Sequence, residues 1–506
     1  MERIVKDFSG VKALDNVDFE VCRGEVHALI GENGAGKSTL MNVLAGRFGN
    51  YEGEIIFDGR QVRITNPRQA RDMGIAVIYQ ELSVLPNLSV AENIMLGDER
   101  AGSWTRKINR AHIRTEARNI VEYLGFDLDP DEPVERLSAA RQRLVEIAGN
   151  VRRRVKLLVF DEPTASLGSE DVEKLFQTIR DLKAKGLGIV YISHRLSELP
   201  QIADRVTVLR DGKKVGTKPI DQCLISEMSR MMMGHILSEI FPVKTNQPGK
   251  RILKVRQLSR KGKFEDISFD LHEGEVLGIA GLVGSGRTEI VRALFGADKA
   301  DGFVELEGEP MTRRSPGFCR IHGIGMLPEN RKSQGVITDR SVGENLNISI
   351  LQRLSGFLGF VSPHRWTRQA RLMMEQMRID PPMVRQAHHP ERSRGRPQML
   401  IQNLSGGNQQ KVVVGRWLAA QPKVLIFDEP TQGIDIGTKS QIYKLIIKLA
   451  KEGQGIILIS SELIEVAKLS DRILIIRDGR MAGEMKGPLT DKDVDVLFNA
   501  CAGVRG

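Results

Sequence analysis

A glycine-rich loop set between an apolar strand pattern and a helical pattern occurs twice in this chain. The two copies, Gly31 to Thr39 and Gly281 to Thr288, follow the apolar runs Val26 to Ile30 and Val276 to Ala280. Both fit G-x-x-x-x-G-K-S/T, except that Arg287 replaces the lysine in the second. A glycine turn leading into a helix N-terminus exposes backbone N–H groups that can cradle phosphates. The sequence therefore predicts two α/β domains, each built around a phosphate-binding loop.

The predicted cofactors are ATP and Mg²⁺. Lys37 would reach the β- and γ-phosphates, and the hydroxyl of Ser38 would bind the metal. The predicted nucleotide-binding residues of these loops are Gly31, Asn33, Gly34, Gly36, Lys37, Ser38 and Thr39 in the first copy and Gly281, Gly284, Gly286, Arg287 and Thr288 in the second.

Later landmarks repeat as well, which indicates that the whole chain is a duplication. We predict a first domain over 1–241, a polar, turn-rich linker over 242–250 and a second domain over 251–506. The strand-like run Ile252 to Val255 has little counterpart before Phe8, so the first half is expected to begin a few residues late. The proline-rich, basic segment 385–397 matches nothing in the first half and indicates an exposed loop insertion, with metal or nucleic-acid binding the less favoured alternatives.

Composition restricts the class of protein. Charged residues make up 27% and hydrophobic residues 41% of the chain, and no run approaches the ~18 apolar residues of a spanning helix. The four cysteines lie far apart and show no metal-ligand spacing, which fits a reducing, cytosolic setting. The net charge of +10 is compatible with nucleic acid or an anionic membrane, but it is spread along the chain and favours a solvated surface.

Each half also contains an apolar strand pattern that ends in two carboxylates. They are Asp161 and Glu162 in the first half and Asp428 and Glu429 in the second. A buried strand is a rigid platform that can hold such acids beside bound phosphates. Asp161 is the candidate Mg²⁺ ligand, and Glu162 is the candidate catalytic base that polarises the attacking water.

A serine motif lies 23 residues before each of these aspartates. In the second half it is Leu404 to Gln410, in which Ser405, Gly406 and Gly407 can form a backbone anion site at a helix start. In this order and spacing the motif resembles the signature of ATP-binding-cassette (ABC) proteins. In the first half, Ala139, Ala140 and Arg141 follow the serine instead.

The resemblance to ABC proteins implies an α/β fold of two tandem P-loop nucleotide-binding domains. Each would have a β-subdomain, a RecA-like core and a helical signature subdomain. The resemblance also implies roles for Gln80 in sensing Mg²⁺, for His194 at the γ-phosphate and for Asp435 in the D-loop; the counterparts of these residues are Glu329, Ser461 and Gly168. Phe8 is a candidate to stack on adenine, and packing within its strand is the open alternative.

ABC domains pair head to tail, so each nucleotide lies between one half's phosphate loop and the other half's signature. By this resemblance, a first site would combine Lys37, Ser38, Gln80, Asp161, Glu162 and His194 with Ser405, Gly406, Gly407 and Asp435. A second site would combine Arg287, Thr288, Glu329, Asp428, Glu429 and Ser461 with the altered signature and Gly168. All five departures from the family pattern fall in the second site. We therefore expect the first site to hydrolyse MgATP and the second mainly to bind nucleotide.

Over nearly its full length the chain resembles the fused two-cassette ATPase subunits of bacterial monosaccharide importers. The resemblance rests on both phosphate loops, Ile78 to Leu82, Ser89 to Ile94, the second signature and Asp428 to Thr431. It implies an ATPase at the cytoplasmic face of the inner membrane that drives sugar uptake with two permease subunits and a periplasmic sugar-binding protein, and no nucleic acid. A nucleoside importer is one alternative. A soluble tandem-cassette factor acting on ribosomes or DNA is the other, disfavoured by the short linker and the single good signature.

Overall fold

The structure is a computed structural model that describes residues 1–8, 10–32, 34–80, 82–97, 109–152, 155–164, 169–193, 195–233, 241–242, 247–282, 284–356, 359–379, 397–434 and 436–503. The chain divides into two compact units, Met1–Gly234 and His235–Gly506. Within the described residues, each unit holds a four-stranded antiparallel sheet and a six-stranded, mainly parallel sheet.

The first unit alternates strands and helices along most of its length. Its strands are β1 (Glu2–Phe8), β2 (Val11–Val17), β3 (Val26–Ile30), β4 (Glu52–Phe57), β5 (Arg60–Val62), β6 (Ile75–Ile78), β7 (Leu157–Asp161), β8 (Gly188–Ile192), β9 (Arg205–Arg210) and β10 (Lys213–Pro219). Its α-helices span Lys37–Leu44, Pro67–Asp72, Val90–Ile94, Arg110–Leu124, Ala139–Val151, Ser169–Ala184, Leu199–Ile202 and Ile225–Met233.

The second unit repeats this order of elements. Its strands are β11 (Arg251–Arg260), β12 (Phe264–His272), β13 (Val276–Ala280), β14 (Asp301–Leu306), β15 (Glu309–Pro310), β16 (Ile324–Leu327), β17 (Val424–Asp428), β18 (Gly455–Ile459), β19 (Arg472–Arg477) and β20 (Arg480–Lys486). Its α-helices span Arg287–Leu294, Pro316–His322, Val342–Asn347, Leu351–Leu354, Pro363–Gln376, Gly406–Ala419, Ile436–Lys451, Leu463–Leu469 and Asp491–Ala502. A five-residue π-helical turn covers Arg331–Gly335.

The large sheets have the same strand order in both units. The first runs β10-β9-β3-β8-β7-β6, and the second runs β20-β19-β13-β18-β17-β16. Only the β9–β10 and β19–β20 pairs are antiparallel. Strands β3, β8, β13, β17 and β18 are buried along their whole length. Such continuous apolar runs are typical of parallel strands covered on both faces.

The core of each unit lies between its two sheets. In the first unit, Ile4, Leu14 and Ile55 of the small sheet pack in one cluster with Leu40 of the helix that follows the phosphate loop, and with Val190 of the large sheet. The second unit has an equivalent cluster. In the first unit, this helix begins at Lys37 and is held by apolar contacts with both sheets. Burial of that kind stabilises the fold by about 25 cal/mol for each Å² of apolar surface removed from water.

Three helices in each unit form a separate helical layer that contains the signature helix. In the first unit, helix Val90–Ile94 packs against helices Arg110–Leu124 and Ala139–Val151. It begins with a reciprocal capping box between Ser89 and Glu92, which satisfies two backbone donors at once. In the second unit, Ser341 and Glu344 cap helix Val342–Asn347 in the same way.

The prediction that the first half largely lacks the counterpart of Ile252 to Val255 is wrong. Strand β1 (Glu2–Phe8) occupies that place and pairs with both β2 and β4. Ile4 is the one fully buried residue of the strand, and charged side chains surround it in sequence, so no apolar alternation announces it. Of the predicted loop insertion, only Pro397 lies within the described residues, and 243–246 of the predicted linker also lie outside them.

Candidate functional site

In the first unit, the candidate nucleotide residues collect at the carboxyl ends of three neighbouring parallel strands. The phosphate loop follows β3, Ser193 follows β8, and Asp161 ends β7. Because β8 lies between β3 and β7, the three segments meet at one edge of the sheet. Ligands of open α/β sheets bind at this edge. The second unit repeats the arrangement with β13, β18 and β17.

Two glycines of the first phosphate loop have no room for a side chain. A Cβ atom at Gly31 would lie 2.4 Å from the carbonyl oxygen of Leu209, and one at Gly36 would lie 2.7 Å from that of Ala13. Gly36 also has a φ of 101°, a left-handed conformation that only glycine adopts freely. The loop therefore packs directly on backbone of β9 and β2, and this contact fixes where its N–H groups point.

Lys37 is buried, and it lies in the electrostatic field of two carboxylates. Its Nζ atom donates hydrogen bonds to the carbonyl oxygens of Gly31 and Glu32 at 2.7 and 2.9 Å. Burial lowers the pKa of the Lys37 ammonium, while Glu162 and Asp161 oppose that change. Lys37 thus closes the loop around its own carbonyls and leaves the N–H groups for an anion.

Asp161 lies close to Lys37 and Ser38, the first two residues of the helix that follows the phosphate loop. Burial and the nearby charge of Glu162 raise the pKa of Asp161 above its usual range, while Lys37 and the Ser38 hydroxyl oppose the increase. Glu162 has a φ of 48°, a left-handed conformation that is rare for a residue with a side chain. Its backbone N–H donates to the carbonyl of Ile192 at 3.0 Å, so the sheet itself holds this conformation.

In the second unit, Arg287 makes a different contact from Lys37. Its guanidinium is buried, and Nη1 donates to the carbonyl oxygen of Ser460 at 2.8 Å. Ser460 directly follows β18, whereas the lysine bonds within its own loop. The arginine therefore connects the second phosphate loop to the neighbouring strand end.

The carboxylates of the second unit are more deeply buried than those of the first. Asp428 is completely buried, and Thr288 donates from its hydroxyl to Asp428 Oδ1 at 3.2 Å. Glu429 repeats the left-handed backbone of Glu162 with a φ of 50°. The Ser461 hydroxyl, at the place of His194, donates to Glu429 Oε2 at 3.0 Å. In this unit the candidate base Glu429 therefore accepts a hydrogen bond from Ser461, the residue that replaces the histidine.

The carboxylates at the ends of β7 and β17 are suited to binding a magnesium ion. Mg²⁺ prefers oxygen ligands and is commonly held by one or two carboxylates together with substrate phosphates. Asp428 Oδ2 is buried without a hydrogen-bond partner among the described residues, and burial with the charges of Glu429 and Glu329 raises the pKa of Asp428 well above its usual range. A cation would relieve both conditions. No larger His, Cys, Asp or Glu cluster within the described part of the chain is arranged to hold a metal ion.

The two signature loops begin helices of the same kind with different side chains. Ser405 caps helix Gly406–Ala419 and accepts from the N–H of Asn408 at 3.4 Å. A Cβ atom at Gly407 would lie 2.8 Å from Thr438 Oγ1, so this glycine packs tightly on the next helix. In the first unit Ser138 also caps its helix, but Arg141 turns away to pair with Asp127 at 3.0 Å.

Sequence reasoning missed a buried arginine that holds the segment carrying Gln80. Arg143, in the first signature helix, donates to the carbonyl oxygens of Tyr79 and Gln80 at 2.8 and 3.0 Å. It also pairs with Glu146 at 2.7 Å, and both side chains are almost fully buried. The Gln80 residue itself is exposed. An arginine in a helix ordinarily indicates a solvated face, so nothing in the local sequence reveals this contact.

A second missed feature is a buried glutamate in each unit that binds several hydroxyl groups. Glu198 accepts from Thr164, Tyr191 and Ser193 at 2.7, 2.7 and 3.1 Å. Its counterpart Glu465 accepts from Thr431, Tyr443 and Ser460. Thr164 and Thr431 each lie two positions after a candidate base, and Ser193 and Ser460 each follow the neighbouring strand. Each glutamate therefore links these two segments of its unit.

Several predicted residues lie outside the described part of the chain: Asn33, His194, Asp435 and Gly168. Phe8 is described, and its ring meets the ring of Phe48 edge-on with centroids 5.1 Å apart. Phe8 is 41% exposed, so one side of it is available for contact.

The chain belongs to the ABC transporter family, whose sequence model matches it twice, over residues 14–165 and 264–432. The two matches cover the two phosphate loops, both acidic strand ends and both signature segments. The predicted fold class of two tandem cassettes is thereby confirmed.

Two relatives are similar over nearly their whole length. The ribose import ATP-binding protein RbsA 1 of Rubrobacter xylanophilus is 45% identical over 96% of this chain and 94% of its own. A protein of Agrobacterium fabrum, described as a putative ribose/galactose/methyl galactoside import ATP-binding protein, is 43% identical over 97% of this chain and 95% of its own. The likeness therefore extends through both cassettes.

An archaeal ribosome recycling factor, aABCE1, shares the fold. The superposition with its solved structure covers 96% of this chain and 90% of the other chain, with a TM-score of 0.54 and 18% sequence identity. At that identity the likeness concerns the tandem-cassette architecture alone. Among the described residues, no helix combines the length and apolar character needed to cross a membrane.

Proposed function

We propose that this chain is the ATP-hydrolysing subunit that drives import of a monosaccharide through a membrane permease. The observation that carries the proposal is the identity of 43–45% to sugar-import ATP-binding proteins across both cassettes. The partners would be two permease subunits at the cytoplasmic face of the membrane, with a periplasmic sugar-binding protein acting indirectly.

Hydrolysis is assigned to the nucleotide held by the first unit. Lys37 and the loop N–H groups would bind the phosphates, and Ser38, Asp161 and Gln80 would hold Mg²⁺. The metal, when bound, neutralises phosphate charge. Glu162 accepts a proton from the attacking water, and His194 contacts the γ-phosphate. Ser405, Gly406 and Gly407 are assigned the signature role, and Asp435 that of the D-loop aspartate.

The second phosphate loop is assigned mainly to nucleotide binding. Arg287 is committed to the Ser460 carbonyl, and a planar guanidinium does not replace an ammonium group at a phosphate. Glu429 is held by Ser461, so its carboxylate is less available to a water molecule. Both contacts support slow turnover or none at this loop.

The matched pair Glu162→Gln and Glu429→Gln tests this division. Each change removes the proton acceptor while keeping size and hydrogen-bonding capacity. We expect Glu162→Gln to lower steady-state ATP hydrolysis by at least about 100-fold, the usual contribution of a general base, and Glu429→Gln to leave most of it. The reverse result would place turnover at the second loop.

Co-purification tests the transport assignment. The tagged chain would be isolated from detergent-solubilised membranes, and its partners identified by mass spectrometry. A polytopic permease supports the importer, and its binding protein can then be screened with sugars and nucleosides. Recovery of ribosomal proteins or DNA without a permease would contradict the proposal.

A further inference from the structure

Glu198 is a buried acid of the first unit to which the nucleotide-binding motifs assign no role. It ends the short 3₁₀ helix Leu196–Glu198, and its carboxylate accepts hydrogen bonds from the hydroxyls of Thr164, Tyr191 and Ser193. All four residues are buried. Burial and the charge of Glu198 raise the pKa of the Tyr191 hydroxyl well above its usual range, so that hydroxyl stays protonated and donates. A carboxylate with two acceptor oxygens can serve three such donors at once.

A cation inside the same cluster compensates the buried acid. Arg195 is also buried, and its Nη1 atom lies 3.7 Å from Glu198 Oε1. The backbone N–H of Arg195 donates to Ser193 Oγ at 2.9 Å, and its guanidinium donates to the carbonyl oxygen of Thr164 at 3.5 Å. Removal of one partner of a buried ion pair is strongly destabilising, so this cluster resists rearrangement.

The cluster supplies the second of two anchors for the turn that carries the candidate base Glu162. The first anchor is the backbone N–H of Glu162, which donates to the carbonyl of Ile192 at 3.0 Å. The second is the bond from Thr164, two residues further on, to Glu198 at 2.7 Å. The φ of 48° at Glu162 is an unfavourable conformation that persists only where its surroundings impose it. With both anchors in place, the turn has little freedom to relax.

The second unit contains the same support. The backbone N–H of Glu429 donates to the carbonyl of Ile459 at 3.0 Å, and Thr431 donates to Glu465 at 2.7 Å. Its cation is Lys439, from the following helix, at 3.7 Å from Glu465. The duplication therefore presents one contact in two settings, beside a base assigned to hydrolysis and beside an acid of the loop assigned mainly to nucleotide binding.

We propose that Glu198 is a positioning residue for ATP hydrolysis, which acts through Thr164 to hold the carboxylate of Glu162 where it can accept a proton from the attacking water. This rests on the proposed function, in which Glu162 is the base. A proton acceptor must lie within hydrogen-bond reach of its water. A misplacement of about 1 Å can lower a rate by about 100-fold, so a support outside the site can control turnover.

Thr164→Val in the full-length chain tests the proposal, because it removes the hydroxyl donor and nearly preserves the shape of the side chain. We expect kcat for ATP hydrolysis to fall by at least about tenfold while KM for ATP changes little, since orientation of the base affects the transition state and not nucleotide binding. Thr164→Ser keeps the hydroxyl and should retain most of the activity. Thr431→Val, the same change at the same contact of the second unit, is the matched control and should spare kcat.

Two further variants show whether Thr164 acts through the base. Adding Thr164→Val to Glu162→Gln should have little further effect, since the carboxylate that it orients is already absent. Glu198→Gln leaves one acceptor oxygen in place of two and should reproduce the loss of kcat seen with Thr164→Val.

Three results would overturn the proposal. The first is a Thr164→Val chain with unchanged kcat. The second is an equal loss of kcat in Thr164→Val and Thr431→Val, which would indicate general damage to the fold. The third is a cycle in which the losses from Thr164→Val and Glu162→Gln simply multiply. If Glu162→Gln itself left hydrolysis intact, the proposed function would fail instead, so the two failures are distinguishable.

Discussion

The guanidinium of Arg287 donates to the carbonyl oxygen of Ser460 at 2.8 Å, inside the second unit. The corresponding Lys37 instead bonds to Gly31 and Glu32 of its own loop. Replacement of the lysine has therefore added a cross-link between a phosphate loop and the end of β18. Arg287 therefore has a structural role in addition to the positive charge that it places in the phosphate loop.

We expect Arg287→Ala to lower the free energy of unfolding of the second unit by about 1–3 kcal/mol, because the buried Ser460 carbonyl would lose its donor. Hydrogen exchange of the amides around 459–463 should become faster, and thermal unfolding should begin earlier. Arg353→Ala, at an exposed site, is the control. Unchanged exchange in the Arg287 variant would show that the hydrogen bond contributes little.

Gly31→Ala should abolish ATP binding by the first unit. Its Cβ atom would lie 2.4 Å from the carbonyl of Leu209, which is backbone and cannot move aside. Gly59→Ala is the matched control, since Gly59 has a φ of 77° with no atom within 4 Å of its would-be Cβ. That change should cost about 1–2 kcal/mol of conformational energy and spare binding. Titration with a fluorescent ATP analogue measures both, and equal losses of affinity would contradict the steric argument.

Arg143→Leu should destabilise the first unit by about 3–5 kcal/mol, because Glu146 would remain buried without its cation. The double variant Arg143→Leu/Glu146→Val should be less destabilised, and Val413 already stands at the place of Glu146 in the second unit. Both variants should hydrolyse ATP slowly, since the carbonyls of Tyr79 and Gln80 lose their donor. Urea unfolding measures the loss of stability separately from the loss of ATP hydrolysis. A double variant less stable than the single would contradict the charge argument.

The stability of the second unit should depend on the protonation of Glu465. Burial and the nearby charge of Glu462 raise the pKa of Glu465 to about 7, against the opposing effects of Lys439, Tyr443 and Thr431. The folded state thus holds a proton that the unfolded chain, with a pKa of about 4.3, releases. The resulting stabilisation is complete below the unfolded pKa and is lost as the pH rises through about 7.

Unfolding free energies measured in urea at several pH values between 5 and 8 would test this dependence. Glu465→Gln should flatten the curve over that range. Tyr443→Phe removes a hydrogen bond to the carboxylate and should shift the loss of stability to higher pH. Parallel curves for the wild type and Glu465→Gln would assign the pH dependence to other groups.

Local sequence patterns predicted the elements whose ends carry the site. Val26–Ile30 is apolar except for His27 and precedes a glycine, and the apolar run from Leu157 ends in acids; the structure forms strands over Val26–Ile30 and Leu157–Asp161. A buried parallel strand needs only such a run, so its sequence is sufficient to identify it. Strand β1 escaped detection because a small antiparallel sheet buries only Ile4 of its residues.

Contacts between distant segments could not be predicted in this way. Arg143 is buried only because helix Ala139–Val151 packs beside the carbonyls of Tyr79 and Gln80. Arg331 meets Gly406 across a long sequence separation, and both fit ordinary local patterns. Charged side chains are expected on surfaces, so their burial is decided by the packing of whole elements.

The left-handed backbone at Glu162 and Glu429 has a consequence for how such a chain tolerates change. Each conformation costs about 1–3 kcal/mol relative to an ordinary one, so the protein is less stable than its fold permits at the two residues proposed to act on the nucleotide. Glycine at either position would remove the penalty together with the carboxylate. Selection for heat resistance alone would therefore favour an inert protein with the same architecture, and continued use of ATP is what retains the less stable one.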